Sequence, residues 1–302
     1  MRRTNTSLLA LLIVLTASQA VYSQTKILEP EKVIEQTIAA GESHSYSMTL
    51  AAGMYGSIEL NQKGLNQVLT IFAADGQKLR TADLSSVGFA EEISLVAQDA
   101  TTYRIEVKAA AKPSRTGTYT LKLTHIHPAT AEDRARVQGQ TLAEEGMQFL
   151  IKQSPTSKTQ ALDKFQKSIP LWHEAKDPDH EAQAFYYVAY TQNALGQYAG
   201  AAEAAKKGRP LAQAAGNQSM EAYLLDELGS SFNDRGQRKQ ALDIFFEALK
   251  LRSDADPIGR SVTLSNIAIA YWGIGDRRKS LSYMEQFVSV LHETGEVLKE
   301  ST

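Results

Sequence analysis

The chain has 302 residues, of which 43% are hydrophobic and 22% charged, an ordinary globular profile long enough for two domains. Its formal net charge of −2 argues against a nucleic-acid surface, which needs a basic patch to displace counterions. The absence of cysteine excludes disulfides, thiolate metal sites and cysteine nucleophiles together, leaving packing as the source of stability.

Residues 1–23 read as a signal peptide. Met1-Arg2-Arg3 is basic, Leu8 to Leu15 is apolar, and Ser18-Gln19-Ala20 or Val21-Tyr22-Ser23 offers small side chains before a cut. An uncleaved anchor is the alternative, but the apolar run is much shorter than the ~20 residues of a spanning helix. The expected product is periplasmic or extracellular, has a net charge of −4, and makes no stable membrane insertion after cleavage.

From residue 24 to 128 the apolar pattern has period two. Tyr46, Met48 and Leu50 alternate with polar residues, as do Ile58 and Leu60, Ile93 and Leu95, Tyr103, Ile105 and Val107, and Tyr119, Leu121 and Leu123. Each set predicts a half-buried strand. Val68-Leu69-Thr70-Ile71-Phe72 is apolar on both faces and predicts a central strand, followed by a hairpin turn at Asp75-Gly76. Six to eight short strands in this span predict a two-sheet β-sandwich. Gly41-Glu42-Ser43-His44-Ser45-Tyr46, Ala52-Gly53-Met54-Tyr55, Ala74-Asp75-Gly76 and Gly117-Thr118-Tyr119-Thr120-Leu121 give the region its resemblance to bacterial pre-peptidase C-terminal-like sandwiches. That resemblance implies a non-catalytic module of an exported protein. Some such modules bind calcium or polysaccharide, but no acidic cluster is present, Asp75, Asp83 and Asp99 being scattered.

Pro128 lacks an N–H and ends strand pairing, and Thr130 with Asp133 forms a capping-box signature opening a helix. Residues 129–302 then carry a repeated helical pattern. Its most regular stretch is Glu221 to Leu251. Leu225, Leu228, Gly229 and Phe232 share one helix face, as do Ala241, Leu242, Phe245, Ala248 and Leu249 on the other side of Asp234-Arg235-Gly236. Gly196, Gly236 and Gly275 recur 40 and 39 residues apart, each followed five residues later by a small residue: Ala201, Ala241 and Ser280. Ala161-Leu162-Asp163-Lys164-Phe165 repeats Ala241 to Phe245 one period earlier, preceded by Leu142, Gly146 and Phe149. About four helical hairpins follow, and the fold class is multidomain, all-β then all-α.

The order Leu225, Leu228-Gly229, Phe232, Gly236, Ala241, Phe245 and Ala248 resembles the tetratricopeptide repeat (TPR) family, an α-helical solenoid with a usual period of about 34 residues. The longer period here implies longer helices, as in kinesin-light-chain-like variants. The resemblance implies that first helices line a concave groove and present their off-core residues to it. Those are Gln183, Tyr186, Tyr190 and Asn193; Tyr223, Asp226, Ser230 and Asn233; and Ser265, Ile269 and Trp272. Aromatic rings there offer contact area at low entropy cost, and Asn offers bonds to a peptide backbone. Family members that bind chaperones grip a terminal carboxylate with Lys and Arg, whereas those places here hold Tyr186, Asp226 and Ser265.

His125-Ile126-His127 lacks a third metal ligand nearby, and Asp177-Pro178-Asp179-His180 reads as a helix start. With no nucleophile triad, phosphate-cradling loop or zinc motif, the sequence predicts a non-enzymatic protein without cofactor or metal. The expected function is an exported scaffold or adaptor holding a protein or peptide partner in the groove. The alternatives are the recognition half of a secreted CHAT-type peptidase system, since this layout resembles the front halves of such proteins, and a cell-envelope glycan-binding module. Thr294 to Lys299 reads as the start of a further helix, either the array's polar cap or a sign that the natural chain continues.

Overall fold

A computed structural model describes residues 26–82, 90–110, 116–253 and 256–294. The expected signal peptide and the tail after Thr294 lie outside the described residues.

Alternation of side chains across the pleat produces nine strands among the described residues: β1 (Lys26–Ile27), β2 (Val33–Ala39), β3 (Ser43–Leu50), β4 (Met54–Lys63), β5 (Gln67–Phe72), β6 (Lys78–Ala82), β7 (Ala90–Val96), β8 (Thr101–Ala109) and β9 (Thr116–Pro128). One sheet has the order β1-β3-β8-β5-β6 and the other β2-β9-β4-β7. The count exceeds the expected six to eight because β1 is only two residues long and β2 places polar Gln36 between Ile34 and Ile38. The apolar sets of both sheets meet in one cluster that includes Ile38, Met48, Ile58, Ile71, Ile93, Ile105 and Leu121, none more than 1% exposed. Each such side chain contributes about 1.5–3 kcal/mol by leaving water. β5, apolar on both faces, pairs with β8 on one side and β6 on the other. Its outward Phe72 is covered by the Arg104 guanidinium, 3.7 Å from the ring centre. Gly76 makes the β5–β6 turn at φ 86°, a conformation that costs glycine little.

Eight helices follow among the described residues: α1 (Ala131–Leu150), α2 (Pro155–Glu174), α3 (Pro178–Ala194), α4 (Tyr198–Ala214), α5 (Gln218–Asp234), α6 (Arg238–Leu251), α7 (Pro257–Ile274) and α8 (Arg277–Thr294). The Thr130–Asp133 capping box opens α1, and Asp177 caps α3 with Pro178 in its first turn. Within the hairpins α3–α4, α5–α6 and α7–α8, the turn glycines Gly196, Gly236 and Gly275 all have positive φ. Close packing of the first three pairs follows a size rule. Gly146 and Gly229 lie against the rings of Phe165 and Phe245, where a Cβ would collide with the ring. Where the second helix carries Ala205 instead, the first carries Ala189, and both are fully buried. The helical part is a TPR-like repeat array.

The β-rich part and the array join at a buried polar junction. Gln140 Oε1 on α1 accepts from Ser94 N–H (3.1 Å), Ser94 Oγ (2.8 Å) and Arg80 Nη1 (3.1 Å), while Arg80 Nη2 pairs with Glu144 at 2.6 Å. Burial raises the Glu144 carboxyl above its ordinary range, against the opposing pull of Arg80.

Candidate functional site

The first helices α3, α5 and α7 stand side by side, so residues off their core stripes fall on one shared face. Tyr186 sits at its centre, half-buried, with ring centres 5.5 Å from Tyr223 and 6.3 Å from Tyr190. Tyr190, Ile269 and Trp272 are 43%, 51% and 57% exposed, an unusual number of large apolar groups left in water on one face. Arg277 lies 3.8 Å over the Trp272 ring and Arg252 lies 4.1 Å over that of Tyr223, so each ring has one face already occupied. Gln183, Ser230, Asn233 and Ser265 are half-buried, and Asn233 donates to Asp234 Oδ1 at 3.2 Å.

Two expected groove residues are placed differently. Asp226 is 1% exposed and does not face a groove. Its carboxylate accepts from Arg252 Nη2 (2.6 Å), Thr263 Oγ1 (2.8 Å) and Asn266 Nδ2 (3.4 Å), because Arg252 just beyond α6 reaches back between α5 and α7. Asn193 is half-buried but already engaged. Its Nδ2 donates to the main-chain oxygen and the carboxylate of Glu227, and its Oδ1 accepts from Ser231 Oγ at 2.9 Å. Those bonds tie α3 to α5 rather than reaching for a peptide.

Toward α1 the face deepens into a cavity of about 510 Å³, roofed by the β2-β9-β4-β7 sheet. Aromatic walls come from Trp172, Tyr186, Tyr187 and Tyr223, and carboxylates from Glu59, Glu91, Glu92, Glu144 and Asp179. His180 stacks on Trp172 with ring centres 4.6 Å apart, and its Nδ1 lies 2.9 Å from Asp177 Oδ2. Burial opposes the imidazolium, but the hydrogen bond and charge of Asp177 outweigh it and raise the His180 pKa. Burial also pushes the Tyr223 hydroxyl up to about 12 and that of Tyr186 well above its ordinary value, so both are neutral donors at physiological pH.

The sheet residues were the ones missed by spacing alone. Glu59 between Ile58 and Leu60 reads as a solvated outer position, and the period-two pattern carries no signal that this outer face docks on helices. Trp172 both packs and lines the cavity, and it is 2% exposed.

No protein-family model matches the chain. Over 76 residues it is 38% identical to the Photosystem I assembly protein Ycf3 of Rippkaea orientalis, covering 25% of this chain and 43% of the relative. The Ycf3 protein of Cyanophora paradoxa is 35% identical over 69 residues, covering 23% and 39%. Among solved structures, the Bacillus subtilis aspartyl phosphate phosphatase F gives a TM-score of 0.47 at 17% identity, covering 55% of this chain and 43% of that one. The pre-peptidase C-terminal domain of a Bacillus anthracis collagenase gives 0.29 at 14% identity, covering 33% of this chain and 95% of that one. The chain spans about two fifths of the length of the curated relatives it matches.

Proposed function

We propose that this protein is an exported, non-enzymatic scaffold that holds an extended peptide segment of a protein partner along the shared face of α3, α5 and α7. Residues 1–23 direct export, residues 24–128 form a two-sheet sandwich, and residues 129–302 form the binding array. The single observation that carries the reading is that Tyr190, Ile269 and Trp272, off the core stripes of α3 and α7, are left in water, with half-buried Tyr186 next to Tyr190, although the array has a core of its own. Rigid rings of this kind are the usual anchors of protein–protein contacts. No helix of the described residues is long and apolar enough to cross a membrane.

The test is binding of labelled heptapeptide pools to purified protein, wild type against the triple variant Tyr186→Ala/Tyr190→Ala/Trp272→Ala. The strip predicts a loss of about tenfold or more, since two or three anchors typically carry most of the binding energy. Equal binding by a folded triple variant sinks the groove. Export is tested separately by the N-terminal sequence of protein recovered outside the cytoplasm, expected to begin at Val21 or Gln24.

A further inference from the structure

We infer that the roofed cavity is a specificity chamber for a basic side chain, Lys or Arg, of the bound peptide. The inference rests on the groove reading and adds to it what the partner must carry.

Three observations converge. The first is charge. Five carboxylates line the chamber; Glu144 is already paired with Arg80 and Glu91 is buried and engaged, which leaves Glu59, Glu92 and Asp179, and among the described lining residues His180 is the sole cationic group. Arg80 is held by Glu144 and Arg136 by Asp177, so neither is at liberty to neutralise the rest. Glu92 and Asp179 accept from the uncharged donors Ser57 Oγ (2.7 Å) and Asn217 Nδ2 (2.7 Å), and Glu59 accepts from Asn61. A cleft of one sign with low-dielectric walls concentrates the opposite charge.

The second is shape. Tyr186, Tyr223 and Trp172 give the chamber apolar walls able to hold the stem of a long cationic side chain while its head meets the carboxylates. Its volume of about 510 Å³ is in the range of small-ligand pockets and has room for one residue and the backbone leading to it.

The third is position. Tyr186 and Tyr223 line the chamber and also belong to the shared face of α3 and α5, their ring centres 5.5 Å apart. A peptide lying along that face can send one long side chain into the chamber while its backbone stays outside, which fits a basic residue of a peptide rather than a metal ion or a simple amine.

The experiment uses the purified full chain and four pools of labelled heptapeptides, mixed at every position except the centre, which is Arg, Lys, norleucine or Glu. The Arg and Lys pools are expected to bind about tenfold or more tighter than the norleucine and Glu pools. In Glu59→Gln/Glu92→Gln that preference should shrink to about two- to threefold while norleucine-pool binding stays put. If the double variant does not fold, Glu92→Gln alone supplies the readout, because its amide oxygen still accepts from Ser57. Equal binding of all four pools, still lost in the triple aromatic variant, overturns the chamber and leaves the groove standing. Undiminished Arg preference in the carboxamide variant also overturns it, and absence of binding by any pool overturns both readings.

Discussion

Arg252 and Asp226 form an ion pair at 2.6 Å, with their side chains 0% and 2% exposed. The guanidinium also pairs with Asp256 at 2.8 Å and donates to Thr263 Oγ1 at 3.2 Å, so one side chain links α5, the end of α6 and α7. Arg252→Met should strand two buried carboxylates and cost about 3–5 kcal/mol, measured by urea denaturation. Asp226→Asn keeps an acceptor for Thr263 and should cost less. If Arg252→Met melts like wild type, the pair contributes nothing to the register of these helices.

A second expectation concerns pH. Burial pushes the Glu227 carboxyl from its ordinary 4.5 up to about 7, with the Asn193 amide pulling weakly the other way. A carboxyl raised in the folded state favours folding while protonated. Its contribution is therefore present below about pH 4.5 and lost as pH rises through about 7. Glu227→Gln, which can still accept from Asn193, should remove that slope and gain on the order of 1–3 kcal/mol over wild type at pH 8. Parallel stability profiles of the two proteins between pH 5 and 8 would falsify this assignment.

Gly229 supplies a third. Alanine is the better helix former by about 1 kcal/mol, yet its Cβ would run into the Phe245 ring. Gly229→Ala should therefore destabilise by about 1–3 kcal/mol. Combining it with Phe245→Ala, which copies the Ala189–Ala205 pairing of the preceding hairpin, should cost less than the two single changes summed. Strict additivity in the double-mutant cycle would contradict the size rule.

The junction offers a fourth. Gln140→Leu removes the acceptor of the Ser94 N–H and hydroxyl and of one Arg80 nitrogen. Leaving such buried donors unpaired should cost about 1–3 kcal/mol. The loss should be local, appearing as faster amide exchange in β7 while α5–α8 keep their protection. Unchanged exchange at Ser94 would show that the contact does not hold the two parts together.

Sequence by itself determined the local geometry of this protein. The capping box at Thr130 and Asp133, the N-cap at Asp177, the turn glycines and the period-two strands follow from backbone sterics and neighbouring side chains, which lie within a few residues of one another. Helical spacing also placed Tyr190, Ile269 and Trp272 off the core stripe, where they are exposed. Tertiary structure alone decided which off-stripe residues remain available. Asp226 has the same helical spacing as an exposed position, but it is buried by Arg252, 26 residues further on. Glu59 and Glu92 alternate as solvated outer residues of β4 and β7, yet they form part of a chamber with helix residues from Gln140 to Val262, 48 positions or more further along the chain. Docking of a sheet on a helix array depends on surfaces assembled from distant segments, and no periodicity within one strand or one helix encodes it.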